Sequence, residues 1–232
     1  MASGKLLRLY PIPYRDLDDD KKFKKYSVIE IACHKATDDK RPESYKVDAD
    51  SIKIVEVWDT KDEWERRKMV VLPTLSPSMC WMYKEAEEND KSLALIKPSE
   101  IDFLWEKAAA KDQAAREACY AQLSFFDKKK NVVEAIPHNF YYFFKCVGVK
   151  ECPGHKMSII DWELGQSYRR WRWIYRNEAI LLKKIKETWL GRICSGKNDV
   201  YFYVGNMKRF RQTFMVLGVF YPPLQNKSPV LI

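Results

Sequence analysis

Residues 139–146 read NFYYFFKC, and residues 152–155, a few positions further on, read CPGH. A run of aromatic residues is typical of a buried strand, and a Pro-Gly pair is typical of a turn. The stretch follows Pro137, which marks a break in the chain. We therefore expect a new structural unit to begin here, with an aromatic strand followed by a tight loop.

On both sides of this stretch, the predicted elements occur as runs of strands and runs of helices. That order favours an α+β fold over the strict strand–helix alternation of parallel α/β proteins. Ala, Glu, Lys and Gln, which favour helix, are frequent in residues 105–123. We predict a mixed α+β domain over residues 1–104, a helical connector over 105–137, and a basic α+β domain over 138–232 with the order strand, helix, helix, β-hairpin.

The composition limits the class of protein. The 232 residues are 46% hydrophobic and 14% aromatic, which allows a sizeable core and argues against general disorder. No stretch approaches the ~18 consecutive apolar residues of a transmembrane helix, and the first residues lack the apolar segment of a secretion signal. The six cysteines are scattered, which favours free thiols or a metal site over a disulfide framework. We expect a cytoplasmic protein without a membrane partner.

Positive charge is concentrated in the second half of the chain. Residues 1–137 contain 25 Lys and Arg against 26 Asp and Glu, whereas residues 138–212 contain 15 against 6. A basic segment of this kind suggests a polyanionic partner, and nucleic acid is the commonest one because each neutralised phosphate releases counterions. A basic balance that serves solubility alone is the simpler alternative.

Three residues of the opening stretch have the spacing of metal ligands: Cys146, Cys152 and His155. A short Pro-Gly turn can bring two thiols and an imidazole around one ion, and structural zinc takes four such ligands. Three ligands with one water would instead form a catalytic type of site, and a buried strand cysteine beside a solvent loop would form no site. The sequence leaves the fourth ligand open among four distant residues: Cys33, Cys80, His138 and Cys194.

A helix predicted from about residue 158 to residue 176 carries cations next to tryptophan. Guanidinium groups bind phosphates, and an exposed indole offers an unstacked base a flat surface. The alternative is that the tryptophans lie in the core with the arginine stems along it. The candidate nucleic-acid-binding residues of this helix are Arg169, Arg170, Arg172, Trp173 and Arg176.

A second group of cations lies in a predicted hairpin loop, between the strand sequences VYFYV and TFMVLGVFY. Three cations bracket an aromatic ring, and such a tip can enter a groove or hold a single strand. Charged hairpin loops without a ligand are also common. Together with the helix cations, the loop predicts one face that binds single-stranded or distorted DNA or RNA. The candidate residues of the loop are Lys208, Arg209, Phe210 and Arg211.

Two acids at the start of the helix, Asp161 and Glu163, raise the alternative of a metal-dependent nuclease. Paired carboxylates can hold Mg²⁺ and align water against a phosphodiester. On a helix, however, positions i and i+2 point in different directions. On a strand, a nuclease of the PD-(D/E)xK type expects Lys two residues after the Glu, where this chain has Gly165. A capping box, with Ser158 as N-cap and Asp161 at N3, is the simpler interpretation.

The residues favour a binding protein over an enzyme. The chain has neither a Gly-rich phosphate loop nor a Gly-x-Ser-x-Gly nucleophile motif. The same basic face could alternatively dock an acidic protein partner, in which case the chain would be an interaction subunit.

Several short motifs are spread over most of the chain: YPIPY at 10–14, RPESY at 41–45, SLALIKP at 92–98, Ile136-Pro137, IDWE at 160–163 and GVFYP at 218–222. As a set they resemble an uncharacterised family of bacterial and archaeal proteins. The resemblance implies a prokaryotic, cytoplasmic protein. With the predicted basic face, it suggests an accessory component of a nucleic-acid-processing or defence system.

Overall fold

A computed structural model describes residues 4–14, 16–61, 64–111, 114 and 134–224. Within these residues the chain forms helices and strands in three sheets, which confirms the predicted α+β class. None of the described helices has the length and apolar character needed to cross a membrane. The helices are α1 (Glu65–Val71), α2 (Met79–Glu88), α3 (Trp162–Tyr175) and α4 (Glu178–Lys186), the last followed by a π-helical segment, Glu187–Ile193.

Two small sheets form the N-terminal part of the structure. One has the strand order β1-β4-β3, and the other pairs β2 with β5 in antiparallel fashion. These strands are β1 (Arg8–Leu9), β2 (Ser27–Glu30), β3 (Cys33–Lys35), β4 (Ser44–Val47) and β5 (Lys53–Val57).

A six-stranded sheet dominates the remainder, with the order β6-β10-β11-β9-β8-β7. All neighbours in it are antiparallel except β9 and β11, which are parallel. Its strands are β6 (Leu93–Ile96), β7 (Pro98–Lys107), β8 (His138–Cys146), β9 (His155–Ile159), β10 (Tyr201–Asn206) and β11 (Phe214–Phe220).

This sheet is closed by one continuous extended segment, residues 93–107. Its first part, β6, pairs with β10, and its second part, β7, pairs with β8 at the other end of the strand order. In a flat sheet these two outer strands would lie about 24 Å apart, since neighbouring strands are separated by about 4.8 Å. Only Lys97 separates the two strands, and two peptide steps span about 7 Å at most. The sheet must therefore curl until its edges meet.

The interior of the curled sheet is filled by aromatic rings. Alternate residues of β8, including Phe140, Tyr142 and Phe144, are buried, as the aromatic strand predicted from the sequence requires. The ring centroid of Phe202 on β10 lies 4.6 Å from that of Tyr142 and 5.4 Å from that of Phe144. Because β8 and β10 are not neighbours in the sheet, these contacts cross its interior. The hydroxyl of Tyr142 donates to the Trp189 carbonyl oxygen at 3.0 Å, which ties the π-helical segment to the same core.

The sheet draws strands from both sides of the domain boundary predicted at residue 104. That position lies inside β7, whose partner is β8. Most of the predicted helical connector, residues 115–133 in particular, lies outside the described residues. After residue 138 the structure contains the predicted strand, two helices and antiparallel hairpin, and it adds strand β9 where a loop and the start of a helix were expected.

Truncation of a ring inside the sheet should be far more costly than truncation of an exposed ring. We expect Phe202→Ala, at a fully buried position, to lower the free energy of unfolding by about 3–5 kcal/mol. Phe210→Ala is the control, because that ring is 60% exposed and its loss should change the free energy by less than about 0.5 kcal/mol. Urea denaturation followed by circular dichroism measures both. Equal losses would contradict the closed aromatic core.

Candidate metal centre and basic face

Four side chains converge where the curled sheet meets helix α2. Cys146 ends β8, His155 begins β9, and Cys152 lies in the turn between these strands. Cys80, in the first turn of α2, completes the group. The four ligand atoms all lie within 4.8 Å of one another, so the cluster could hold a metal ion. The structure thus brings the three predicted ligands together and selects Cys80 as the fourth.

The distances within this Cys₃His cluster are close to those around a tetrahedral ion. The Sγ atom of Cys80 lies 3.7 Å from that of Cys152 and 3.8 Å from that of Cys146. The Nε2 atom of His155 lies 3.2–3.4 Å from the three sulfurs. Tetrahedral angles and zinc bond lengths would give about 3.8 Å between sulfurs and about 3.6 Å between sulfur and nitrogen. Four donors at these separations leave no open coordination position.

Backbone N–H groups surround the sulfurs. The amide of Met79 donates to the sulfur of Cys146, and the amide of Cys146 donates to that of Cys152, both at 3.3 Å. Burial raises the pKa of the Cys152 thiol, but hydrogen bonds from the backbone of Cys146 and Gly154 and from the thiols of Cys80 and Cys146 together lower it. Burial lowers the pKa of His155, which favours the neutral imidazole that binds metals. Burial raises the pKa of the Cys80 thiol to about 12, so this ligand would release a proton when an ion binds.

The turn that presents Cys152 and His155 depends on Gly154. Its φ of +84° lies in the left-handed region, which residues with a Cβ rarely adopt. A Cβ at this position would also lie 2.5 Å from the ring of Phe143. This position therefore requires glycine for two reasons: the left-handed backbone conformation and the close approach to the Phe143 ring.

The other candidate ligands lie elsewhere. Cys33 is exposed on β3. The sulfur of Cys194 is 3.8 Å from the hydroxyl oxygen of Tyr142, inside the core. His138 is buried, and its Nε2 atom lies 3.7 Å from the carboxylate of Glu178. None of these three residues belongs to the Cys₃His cluster.

Two of the tryptophans near the predicted cations are exposed. The side chain of Trp162 is 58% exposed and that of Trp173 is 69% exposed, so neither lies in the core. A guanidinium lies over each ring, that of Arg169 at 5.6 Å from the Trp162 centroid and that of Arg172 at 4.4 Å from the Trp173 centroid. The side chain of Arg169 donates to the backbone carbonyl oxygen of Glu134, and the guanidinium of Arg172 pairs with the carboxylate of the same residue. The contacts hold flat indole and guanidinium groups on the surface of α3.

The cations of the hairpin loop are of two kinds. Lys208 pairs with Asp38 at 3.3 Å, and Arg211, half-buried, pairs with Asp90 at 3.4 Å. Arg209 is exposed and has no ion pair within the described part of the chain, and the neighbouring ring of Phe210 is 60% exposed. Of the three loop cations, Arg209 is therefore the one that is exposed and without an ion pair among the described residues.

Ion pairs reduce the charge asymmetry that the sequence shows. Acids of β7 pair with cations of the second half of the chain: Glu100 with Lys145, Asp102 with Lys186, and Glu106 with Lys156. On α3, Arg170 and Arg176 are exposed, and neither has an ion pair among the residues that the structure describes. The cations available to a ligand are thus fewer than the sequence counts suggest.

The two acids of the nuclease alternative have separate roles. The Oδ1 atom of Asp161 accepts the amide N–H of Glu163 at 2.7 Å and caps α3. The carboxylate of Glu163 is 58% exposed and pairs with Lys25 at 3.3 Å. The predicted capping box is wrong, because Ser158 belongs to β9 and Asp161 itself is the N-cap. Among the described residues, three or more potential ligands lie close enough to share a metal ion in the Cys₃His cluster, and that group does not include Asp161 or Glu163.

The metal content of the purified protein tests the cluster. We expect one ion per chain by plasma mass spectrometry, and loss of that ion in Cys146→Ser. Structural zinc binds peptides with a free energy of about 12 kcal/mol. If the ion contributed a quarter of that, about 3 kcal/mol, to the stability of this protein, its loss would lower the midpoint of thermal unfolding by about 6–12 °C in a chain of this size. Cys33→Ser, which removes an exposed thiol outside the cluster, should change neither quantity. A wild-type protein that is metal-free and unaffected by chelators would contradict the assignment.

Comparison with known proteins places the chain among families without an assigned function. No curated protein and no solved structure matches it. The model of a domain of unknown function, DUF8758, matches residues 1–73, which contain the two small sheets. The model of a second domain of unknown function, DUF8757, matches residues 75–231 and includes the whole Cys₃His cluster and the six-stranded sheet. With more than half of its length matched, the chain belongs to the DUF8757 family.

Proposed function

We propose that this protein binds single-stranded nucleic acid through residues of α3 and of the hairpin loop, on a fold held together by zinc. These residues, called the basic face below, form two groups: Trp162, Arg169, Arg170, Trp173 and Arg176 on α3 and at its C-terminal end, and Arg209 and Phe210 in the loop. The observation that carries the proposal is the pair of exposed tryptophans with a guanidinium over each ring, beside cations without ion pairs in the described structure.

Trp162 and Trp173 present flat rings to solvent. A flat ring that is more than half exposed provides a stacking surface for a base, and each base–aromatic stack contributes about 1–3 kcal/mol. The arginine over each ring keeps it in a defined position, since cation–π contact restricts both groups. Arg170 and Arg209 add charges that can neutralise phosphates. Stacking and phosphate contact together are typical of proteins that bind nucleic acid.

Unpaired bases suit this face better than a duplex. In a duplex the bases stack on one another and leave no ring face for a protein side chain. In a single strand the bases can stack on the exposed rings of Trp162, Trp173 and Phe210 while the backbone follows the arginines. Because Asp161 caps α3 and Glu163 is ion-paired, we propose binding without cleavage.

Zinc fits the Cys₃His cluster better than other common ions. Three thiolates and one imidazole are soft donors, and zinc accepts them without a geometric preference of its own. The donors fill all four tetrahedral positions, which is the arrangement of structural zinc sites and leaves no place for substrate. We therefore assign the ion a structural role and place the functional surface on α3 and the hairpin loop.

Binding should depend on two arginines at separate parts of the basic face. We expect Arg170→Gln and Arg209→Gln each to weaken binding to a fluorescein-labelled single strand by about threefold to tenfold at low salt, because each loses a phosphate contact. The double variant should reduce the slope of log affinity against log salt by about 1.4, at about 0.7 per single-strand contact. Fluorescence anisotropy at several salt concentrations measures both effects.

Lys53→Gln is the matched control. It also removes one exposed positive charge, but from strand β5 in the N-terminal part of the structure. If this variant lost as much affinity as the arginine variants, the effect would come from net charge and the proposed face would be wrong. The complete absence of binding at low salt would overturn the proposal and direct attention to an acidic protein partner. Strand cleavage in the presence of Mg²⁺ would contradict a pure binding role and favour the nuclease alternative.

A further inference from the structure

A cavity of about 330 Å³ opens beside the start of α3, against strands β8, β9 and β11. Its size lies at the lower end of the range for small-molecule sites. Apolar side chains, among them Ile136 and Met215, form part of its wall, and polar groups are interspersed among them. Asp161, Trp162 and Arg169 also line the cavity.

Trp162 gives this cavity an aromatic wall that is open to solvent. The ring is 58% exposed and has the guanidinium of Arg169 near it. Both residues belong to the basic face, so the cavity is continuous with the surface proposed to bind a strand. A planar aromatic ligand that entered the cavity could stack on this indole while the phosphate attached to it remained near the arginine.

Asp161 provides an acceptor that is unusual for a phosphate-binding surface. The residue is only 8% exposed, and burial raises the pKa of its carboxyl group, although nearby Lys25 opposes the shift. A carboxylate has about four lone-pair positions. The backbone N–H groups of Glu163 and Leu164 are its hydrogen-bond partners at the start of α3, which leaves acceptor capacity for a ligand with N–H groups.

We propose that the cavity receives one unstacked base of the bound strand and that Asp161 accepts a hydrogen bond from the amino group of that base. This inference rests on the proposed function and adds a base preference to it. Carboxylates accept hydrogen bonds from the exocyclic amino group of cytosine, whereas thymine and uracil carry no such group. The site should therefore favour bases with an amino group over thymine or uracil.

The test compares two strands that have the same sugar–phosphate backbone and differ in the base: cytosine carries an amino group where thymine carries a carbonyl oxygen. We expect (dC)₁₀ to bind about fivefold to tenfold more tightly than (dT)₁₀, the effect of a single base-specific hydrogen bond. In Asp161→Asn this ratio should fall to about one. Asparagine caps helices as well as aspartate does, so thermal unfolding monitored by circular dichroism should show an intact fold.

A second pair of variants separates the cavity from the rest of the face. Trp162→Ala should weaken the binding of both strands and reduce the ratio of their affinities. Trp162→Phe should keep most of the affinity and most of that ratio. Trp173→Ala, which removes an equally exposed ring outside the cavity, should weaken binding but leave the ratio unchanged. Equal affinity of the wild-type protein for the two strands, or an unchanged ratio in Asp161→Asn, would overturn the base site and leave the proposed function intact. If neither strand bound, the proposed function and the base site would both fail.

Discussion

The Cys₃His cluster brings together two parts of the chain that are far apart in the sequence. It places Cys80 in α2 beside Cys146 at the end of β8, 66 residues away. Helix α2 is followed almost at once by β6 and β7, the segment that closes the sheet. An ion held by the cluster would therefore fix α2, and with it the start of the closing segment, to the β8–β9 turn. Since loop closure over such a separation costs conformational entropy, an ion that holds both ends contributes directly to folding.

The closed sheet in turn determines which surfaces are available for function. Its interior is filled by aromatic rings, among them those of Tyr142, Phe144 and Phe202. Helix α3 leaves the sheet at its N-cap, Asp161, shortly after β9. Its residues Trp162, Arg170 and Trp173 lie on the outside. The acids of β7 neutralise several nearby lysines. Arg170, Arg176 and Arg209 are exposed and have no ion pair among the described residues.

The sequence predicts the α+β class, the aromatic strand, the hairpin and three of the four clustered ligands, because each depends on a local pattern. Cys80 is different. It lies far from the other ligands, and only the fold shows which of the four distant candidates is near them. The capping prediction for Ser158 failed because five residues of β9 precede the helix, and so short a strand has little periodicity of its own. The closure of the sheet also has no local signal, since it follows from pairings on both sides of one continuous segment.

X-ray absorption at the zinc edge of the purified protein tests the Cys₃His metal centre directly, because it measures the atoms around the ion rather than a consequence of their removal. We expect a four-coordinate ion with three sulfur neighbours at about 2.3 Å and one nitrogen neighbour at about 2.0–2.1 Å. A spectrum with only oxygen and nitrogen neighbours, or with fewer than three sulfurs, would contradict the Cys₃His centre. It would also remove the proposed link between α2 and the β8–β9 turn.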